Sequence, residues 1–72
     1  MDTLLINFGM HLAKLRQDRG LSQEALAELS GLHRTYISSL ERGKRNPTLT
    51  TLNSLKMALD IKFTDLLKFE DR

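Results

Sequence analysis

Residues 21–52 read LSQEALAELSGLHRTYISSLERGKRNPTLTTL and contain two short helical segments joined by a glycine turn. Ser22 is a favourable helix N-cap, and Gly31 is a favourable residue just beyond a helix C-terminus. They place the second helix of the chain between them. A third helix follows at about 33–42 and is ended by Gly43. The connection between these two helices is only Gly31-Leu32, and so short a connection predicts the sharply angled helix-turn-helix over residues 22–43.

Helical periodicity continues on both sides of this motif. Apolar side chains at spacings of three and four predict a first helix at roughly Thr3–Arg19. Thr48 caps a fourth helix at about 49–59, and a short last helix is predicted over Phe63–Phe69. The fourth helix is expected to face the core with Leu49, Leu52, Leu55, Ala58 and Leu59. No run alternates as a half-buried strand would. The sequence therefore predicts an all-α, compact five-helix domain.

Length and composition limit what this domain can contain. With 72 residues, we expect residues 1–72 to form a single domain. Cysteine is absent, which excludes disulfides, thiol catalysis and zinc sites built on cysteine. The longest apolar run is three residues, as at Leu4–Ile6, whereas a transmembrane helix needs about 20. Because Asp2 stands at the start and no basic-then-apolar leader follows, we expect a cytoplasmic protein that does not associate with membranes.

Positive charge is concentrated in one segment, although the whole chain has 11 Lys and Arg against 9 Asp and Glu. Within residues 34–45, Glu41 is the only acid. The basic residues there are Arg34, Arg42, Lys44 and Arg45. A solvated loop can have this composition, but so can an anion-binding surface, for which nucleic acid is the commonest partner.

The exposed face of the third helix is small, hydroxylated and basic. At about 100° per residue, Ile37 and Leu40 point towards a core. Thr35, Ser38, Ser39 and Arg42 cluster on the opposite side, and Tyr36 flanks it. Arg34 is in the first turn and is long enough to reach forward to this face. Arginine can read guanine edges and hydroxyls can bind bases and phosphates, while no acid repels the phosphates. An ordinary solvated face usually mixes acids with bases, so this pattern favours a helix that enters the DNA major groove.

Two charged residues fall on core-facing sides of their helices. Glu41 lies beside Ile37 and Leu40 on the third helix, and Arg16 lies beside Leu12 on the first. A buried charge without a partner is very costly, so we expect a structural ion pair between Arg16 and Glu41. The alternative is that both side chains extend to solvent.

The sequence closely resembles the lambda-repressor/Cro-type helix-turn-helix, also called the xenobiotic-response-element type. The resemblance covers roughly residues 8–67. Its signature positions are Ser22-Gln23, Ala27, Gly31, Ile37, Leu40 and Glu41-Arg42-Gly43, all in register. Within the family, HRTYIS at 33–38 followed by RGKRNPT at 42–48 looks most like the controller proteins of bacterial restriction–modification systems.

The resemblance implies a lambda-repressor-like DNA-binding fold and assigns roles to individual residues. Arg34, Thr35 and Ser39 fall on base-reading positions, with Ser38 nearby. Gln23 would bind a phosphate together with the helix N-terminus. The other residues implied to contact the DNA backbone are Tyr36, Arg42, Lys44, Arg45 and Asn46, and the alternative for Tyr36 is that it supports readout of DNA shape. Arg16 and Glu41 match the internal ion pair of the family.

A symmetric homodimer is expected, because one recognition helix reads only about 3–5 base pairs and two-fold dimers place two such helices on successive major grooves. The dimerisation helices are expected at about 49–69. Their candidate interface residues are Met57, Phe63, Leu67 and Phe69, which exceed what one thin core needs. The alternative is that these side chains complete the core of the monomer.

The sequence thus predicts a sequence-specific regulator of transcription that binds double-stranded DNA. The leading interpretation is a restriction–modification controller protein that binds a palindromic operator as a dimer. A phage- or plasmid-type repressor and an antitoxin-like protein-interaction module are the alternatives. The sequence does not distinguish an activator from a repressor.

We do not expect an enzyme. His11 and His33 have no cysteine and no close carboxylate cluster around them, so a metal site is not predicted. No nucleophile elbow or glycine-rich phosphate loop is present, and so small a helical domain leaves little room for a deep pocket. No cofactor and no small-molecule ligand are therefore expected.

Overall fold

The computed structural model describes residues 2–70, and this part of the chain forms five α-helices and no strand. They are α1 (Thr3–Asp18), α2 (Gln23–Ser30), α3 (Arg34–Glu41), α4 (Leu49–Leu59) and α5 (Phe63–Leu66). The predicted all-α, five-helix fold is confirmed.

The helix ends that frame the helix-turn-helix lie where the capping residues predict them. The Ser22 hydroxyl accepts a hydrogen bond from the Ala25 N–H at 3.0 Å and so begins α2. Gly31 ends α2 with a φ of 75°, a left-handed conformation that glycine adopts without strain. Thr48 begins α4 in the same way as Ser22, since its hydroxyl accepts from the Thr51 N–H at 3.1 Å. These local interactions fix both ends of α2 and the start of α4.

The last helix is shorter than the sequence predicts. It ends at Leu66 and does not continue to Phe69. The Phe69 ring instead packs edge-on against Phe8, with ring centroids 5.9 Å apart, and against His11 at 5.5 Å. Burial of this ring against α1 therefore replaces the remaining turn of helix. The first helix also ends one residue early, with Arg19 as its C-cap.

A single core joins all five helices. Its buried side chains are Phe8, Leu12, Leu26, Ala27, Ile37, Leu40, Leu55, Leu59 and Leu66. Leu49 was expected to face this core but is exposed. At about 100° per residue, Leu49 lies nearly a quarter-turn from the stripe that Leu52, Leu55 and Leu59 form on α4. That expectation was wrong because the stripe begins only at Leu52.

Close contact at Gly9 fixes α1 against α3. A Cβ at Gly9 would overlap the carbonyl oxygen of Leu40 and would lie 2.6 Å from that of Glu41. Only glycine permits this approach of the two backbones. The core-facing side of α3 is thereby held by α1, and its opposite side remains at the surface.

Candidate nucleic-acid interface

The polar face of α3 is at the surface of the molecule. Arg34 and Thr35 are exposed, and Ser38 and Ser39 are partly exposed. The Ser39 hydroxyl donates to the Thr35 carbonyl at 2.9 Å. Because its hydrogen is engaged within the helix, Ser39 presents acceptor lone pairs outward, which suit an amino group on a base edge.

The basic turn that follows α3 is held close to this face. The Arg42 Nε donates to the Ser38 carbonyl at 3.4 Å. The Arg45 guanidinium lies 5.8 Å from the centroid of the Tyr36 ring, a cation–π contact between the turn and the helix. Lys44 and Asn46 are exposed beside it. The residues of this turn that are expected to contact the DNA backbone thus form one surface with the residues of α3 that are expected to contact bases.

Gly43 determines where this turn lies. It has a φ of 74°, which disfavours any side chain. A Cβ there would also meet the Ile6 Cα at 2.6 Å. The turn therefore packs directly on the backbone of α1, and Lys44, Arg45 and Asn46 beyond it are exposed.

Arg16 and Glu41 are in direct contact. The Arg16 Nε donates to Glu41 Oε2 at 2.7 Å and Nη2 donates to Oε1 at 3.0 Å, while Nη1 donates to the Leu21 carbonyl at 2.7 Å. The two side chains are only 11% and 7% exposed. Sequence reasoning expected an ion pair between these two core-facing residues of α1 and α3, and the structure shows that the pair is bidentate.

The hydrogen bond to Glu41 raises the pKa of the Arg16 guanidinium above its ordinary value. A group with a raised pKa stabilises the fold below its unfolded pKa, and that contribution is lost only as pH rises through the folded pKa. For an arginine this window is strongly alkaline, so Arg16 stays charged throughout the neutral range.

Gln23 connects this pair to the surface. Its Nε2 donates to Glu41 Oε1 at 3.0 Å. An amide nitrogen has two hydrogens, so the second one and the free backbone N–H groups at the start of α2 can still donate to a phosphate. The side chain proposed to hold the DNA backbone is itself held by the pair that fixes α3.

Sequence reasoning missed a contact between the two helices of the motif. The Glu24 carboxylate lies 3.8 Å from the Arg34 Nε, and both side chains are exposed. Helical-wheel analysis of α3 alone found no acid on its polar face, because this acid comes from the first turn of α2. The two helices of a helix-turn-helix pack at a sharp angle, so a residue of α2 can lie close to the polar face of α3.

The candidate dimer residues divide into two groups. Met57 is 68% exposed, and Leu67 and Phe63 are also exposed, with the Lys56 Nζ 5.2 Å from the centroid of the Phe63 ring. Phe69 is only partly exposed because it packs on Phe8. Phe69 therefore fits the alternative that the sequence left open, completion of the monomer core.

The two histidines occupy different surroundings. His11 Nε2 is 2.8 Å from the Asp65 carbonyl oxygen, so this ring helps to fix α5 against α1. His33 is the N-cap residue of α3 but makes no side-chain capping bond. Between residues 2 and 70, no three histidine or acidic side chains are grouped so that they could hold a metal ion. Nor is any helix of that segment long and apolar enough to cross a membrane.

Comparison with known proteins places this arrangement among described folds. A family model described as helix-turn-helix matches residues 12–66. Over 52 residues the chain is 58% identical to the control protein C.SmaI of Serratia marcescens, a region that covers 72% of this chain and 62% of that protein. The crystal structure of the restriction–modification controller protein C.AhdI from Aeromonas hydrophila matches with a TM-score of 0.84 and 50% identity, covering 86% of this chain and 94% of that one.

A further solved structure contains DNA. It is the tetramer of the restriction–modification controller protein C.Esp1396I in complex with its natural 35 base-pair operator. This structure matches with a TM-score of 0.83 and 36% identity, covering 93% of this chain and 92% of that one.

Proposed function

The chain belongs to the helix-turn-helix family, and we propose that it is a sequence-specific, DNA-binding transcription regulator of the restriction–modification controller type. The observation that carries this proposal is the polar face of α3, which is free of acids of its own and continues into the basic turn at 44–46. The match to controller proteins over most of the chain supports the same subtype.

Base recognition is assigned to the exposed face of α3. Arg34 donates to the O6 and N7 of a guanine, the commonest specific contact in the major groove. Thr35 and Ser38 contribute hydroxyls that can donate or accept, and Ser39 accepts from a base amino group because its own hydrogen is engaged. These four residues carry the sequence information.

Binding affinity that does not depend on the DNA sequence is assigned to residues around the exposed face of α3. The residues are Gln23, Tyr36, Arg42, Lys44, Arg45 and Asn46. Contacts of this kind set the register of a protein on the duplex and make its binding strongly dependent on salt. Gln23 is bound to Glu41 at the end of α3, and the basic turn continues from that end, which supports phosphate contacts beside the reading face.

We assign residues 1–72 to one domain, with the helix-turn-helix at 22–43 and the dimerisation helices at about 49–69. The exposed apolar side chains Met57, Phe63 and Leu67 support a homodimer whose partner covers them. Two-fold symmetry then implies a palindromic operator. Such a protein acts by binding DNA in the cytoplasm rather than by catalysis, and it requires no cofactor.

Selection from a pool of random-sequence duplexes tests this function. Repeated rounds of capture by the purified protein should enrich a two-fold symmetric sequence whose half-sites lie about 10 base pairs apart. Mobility shifts on that duplex and on a scrambled one, at two salt concentrations, should show preference for the selected sequence. Absence of enrichment would favour the antitoxin-like interaction module. A methyltransferase or endonuclease gene beside the coding sequence would support the controller subtype, whereas neighbouring phage genes would favour the phage-type repressor.

A further inference from the structure

The ion pair between Glu24 and Arg34 joins the first turns of the two helices of the motif. Glu24 is the second residue of α2, and Arg34 is the first residue of α3. The closest atoms are Glu24 Oε1 and Arg34 Nε, 3.8 Å apart. The acid therefore approaches the arginine from the Nε side of its guanidinium group.

We propose that Glu24 is a positioning residue for base recognition, which holds Arg34 by its Nε side so that the two terminal nitrogens face a guanine. This inference rests on the proposed function, since it assigns a role to Glu24 in the reading performed by α3. It makes Glu24 a determinant of specificity that does not itself contact a base.

The geometry of the guanidinium group supports this role. It has five N–H donors in a planar fork, of which one is on Nε and four are on the terminal nitrogens. Recognition of guanine O6 and N7 needs two parallel donors, which the terminal nitrogens supply. An acid at Nε therefore leaves the reading edge intact. It also restricts an otherwise flexible exposed side chain, and such preorganisation favours binding.

The negative charge of Glu24 also increases specificity, because it weakens binding to DNA of the wrong sequence. Glu24 directly follows Gln23, the residue proposed to bind a phosphate at the start of α2. A carboxylate at this position repels the phosphates of every duplex, whatever its sequence. Only a duplex with guanine at the right position compensates for that repulsion through Arg34. Glu24 thus lowers affinity for random DNA and supports affinity for the operator.

The experiment compares Glu24→Ala with Glu28→Ala. Glu28 is exposed one turn further along α2, so its loss changes the net charge by the same amount. Dissociation constants are measured by fluorescence anisotropy for the duplex selected by the wild-type protein and for a scrambled duplex. Relative to Glu28→Ala, the Glu24→Ala variant should lower the ratio of selected to scrambled affinity by up to about fivefold, the range of an exposed ion pair. In an Arg34→Ala background, the two changes should have equal effects on that ratio.

Equal ratios for the two single variants in the wild-type background would overturn the proposal, because the effect would then be one of net charge. A rise in affinity for the selected duplex that exceeds the rise for the scrambled one would also overturn it, since Glu24 would then compete with DNA for Arg34. If the wild-type protein itself shows no preference, the proposed function fails and not this inference alone. Thermal unfolding of each variant checks that the fold is kept, and Glu24→Gln, which retains the side-chain size, should shift the ratio in the same direction.

Discussion

Arg16 of α1 and Glu41 of α3 form a bidentate ion pair whose two hydrogen bonds measure 2.7 and 3.0 Å. The pair joins the helix that supports the motif to the end of the helix that carries the reading face. Gln23 adds a third hydrogen bond to the same carboxylate, so the start of α2 is fixed by the same group. The orientation of α3 at the surface therefore depends on a nearly buried charge.

Arg16→Ala should lower the free energy of unfolding by about 3–5 kcal/mol, because it leaves the Glu41 carboxylate without its partner in a site where water has little access. For a domain of this size that is a large part of the total stability. Denaturant unfolding followed by circular dichroism measures the change. Lys14→Ala is the matched control, since Lys14 pairs with Asp18 on the exposed side of α1 and should contribute less than about 1 kcal/mol. An unchanged midpoint for Arg16→Ala would show that the pair adds nothing to the fold.

Gly9→Ala should destabilise the protein although alanine is the better helix former by about 1 kcal/mol. The added methyl group would overlap the Leu40 and Glu41 carbonyl oxygens, and overpacking of this kind costs about 1–3 kcal/mol. The thermal midpoint of the variant measures the result. Gln17→Ala, at an exposed site on the same helix, should leave the midpoint nearly unchanged. A higher midpoint for Gly9→Ala would contradict the close approach of α1 and α3.

Met57→Glu should weaken the homodimer without unfolding the monomer. Met57 is 68% exposed on α4, and a charge there would be buried by a partner subunit. Sedimentation equilibrium should show at least about a tenfold rise in the dimer dissociation constant. Met10 on α1 is 65% exposed and provides the control, since Met10→Glu should leave self-association unchanged. Equal effects of the two variants, or a wild-type protein that sediments as a monomer, would contradict the proposed interface.

Local rules predicted much of the fold because the interactions concerned are local. Ser22, Gly31 and Thr48 each set a helix boundary through a bond or backbone angle within a few residues of themselves. Helical phase was enough to pair Arg16 with Glu41, since both residues needed a partner on the core side.

The remaining features depend on contacts between distant segments. Phe69 ends α5 early by packing on Phe8, which periodicity within the last helix does not reveal. The contact of Glu24 with Arg34 arises between two helices, so the wheel of either helix alone omits it. The helical phase of Ser39 places it on the reading face, but only the structure shows that its hydroxyl hydrogen is donated to the Thr35 carbonyl. Functional detail was therefore less predictable than the fold.

The central claim is that the exposed face of α3 reads sequence while the turn after it holds phosphates, and Arg34→Ala measured beside Arg45→Ala tests it most directly. Both variants are titrated over a salt series with the selected duplex and with a scrambled one. Arg34→Ala should lose about 1–3 kcal/mol on the selected duplex and much less on the scrambled one. Arg45→Ala should weaken both nearly equally and reduce the salt slope by about one. An equal loss on both duplexes for Arg34→Ala would contradict the account, because Arg34 would then be a phosphate contact.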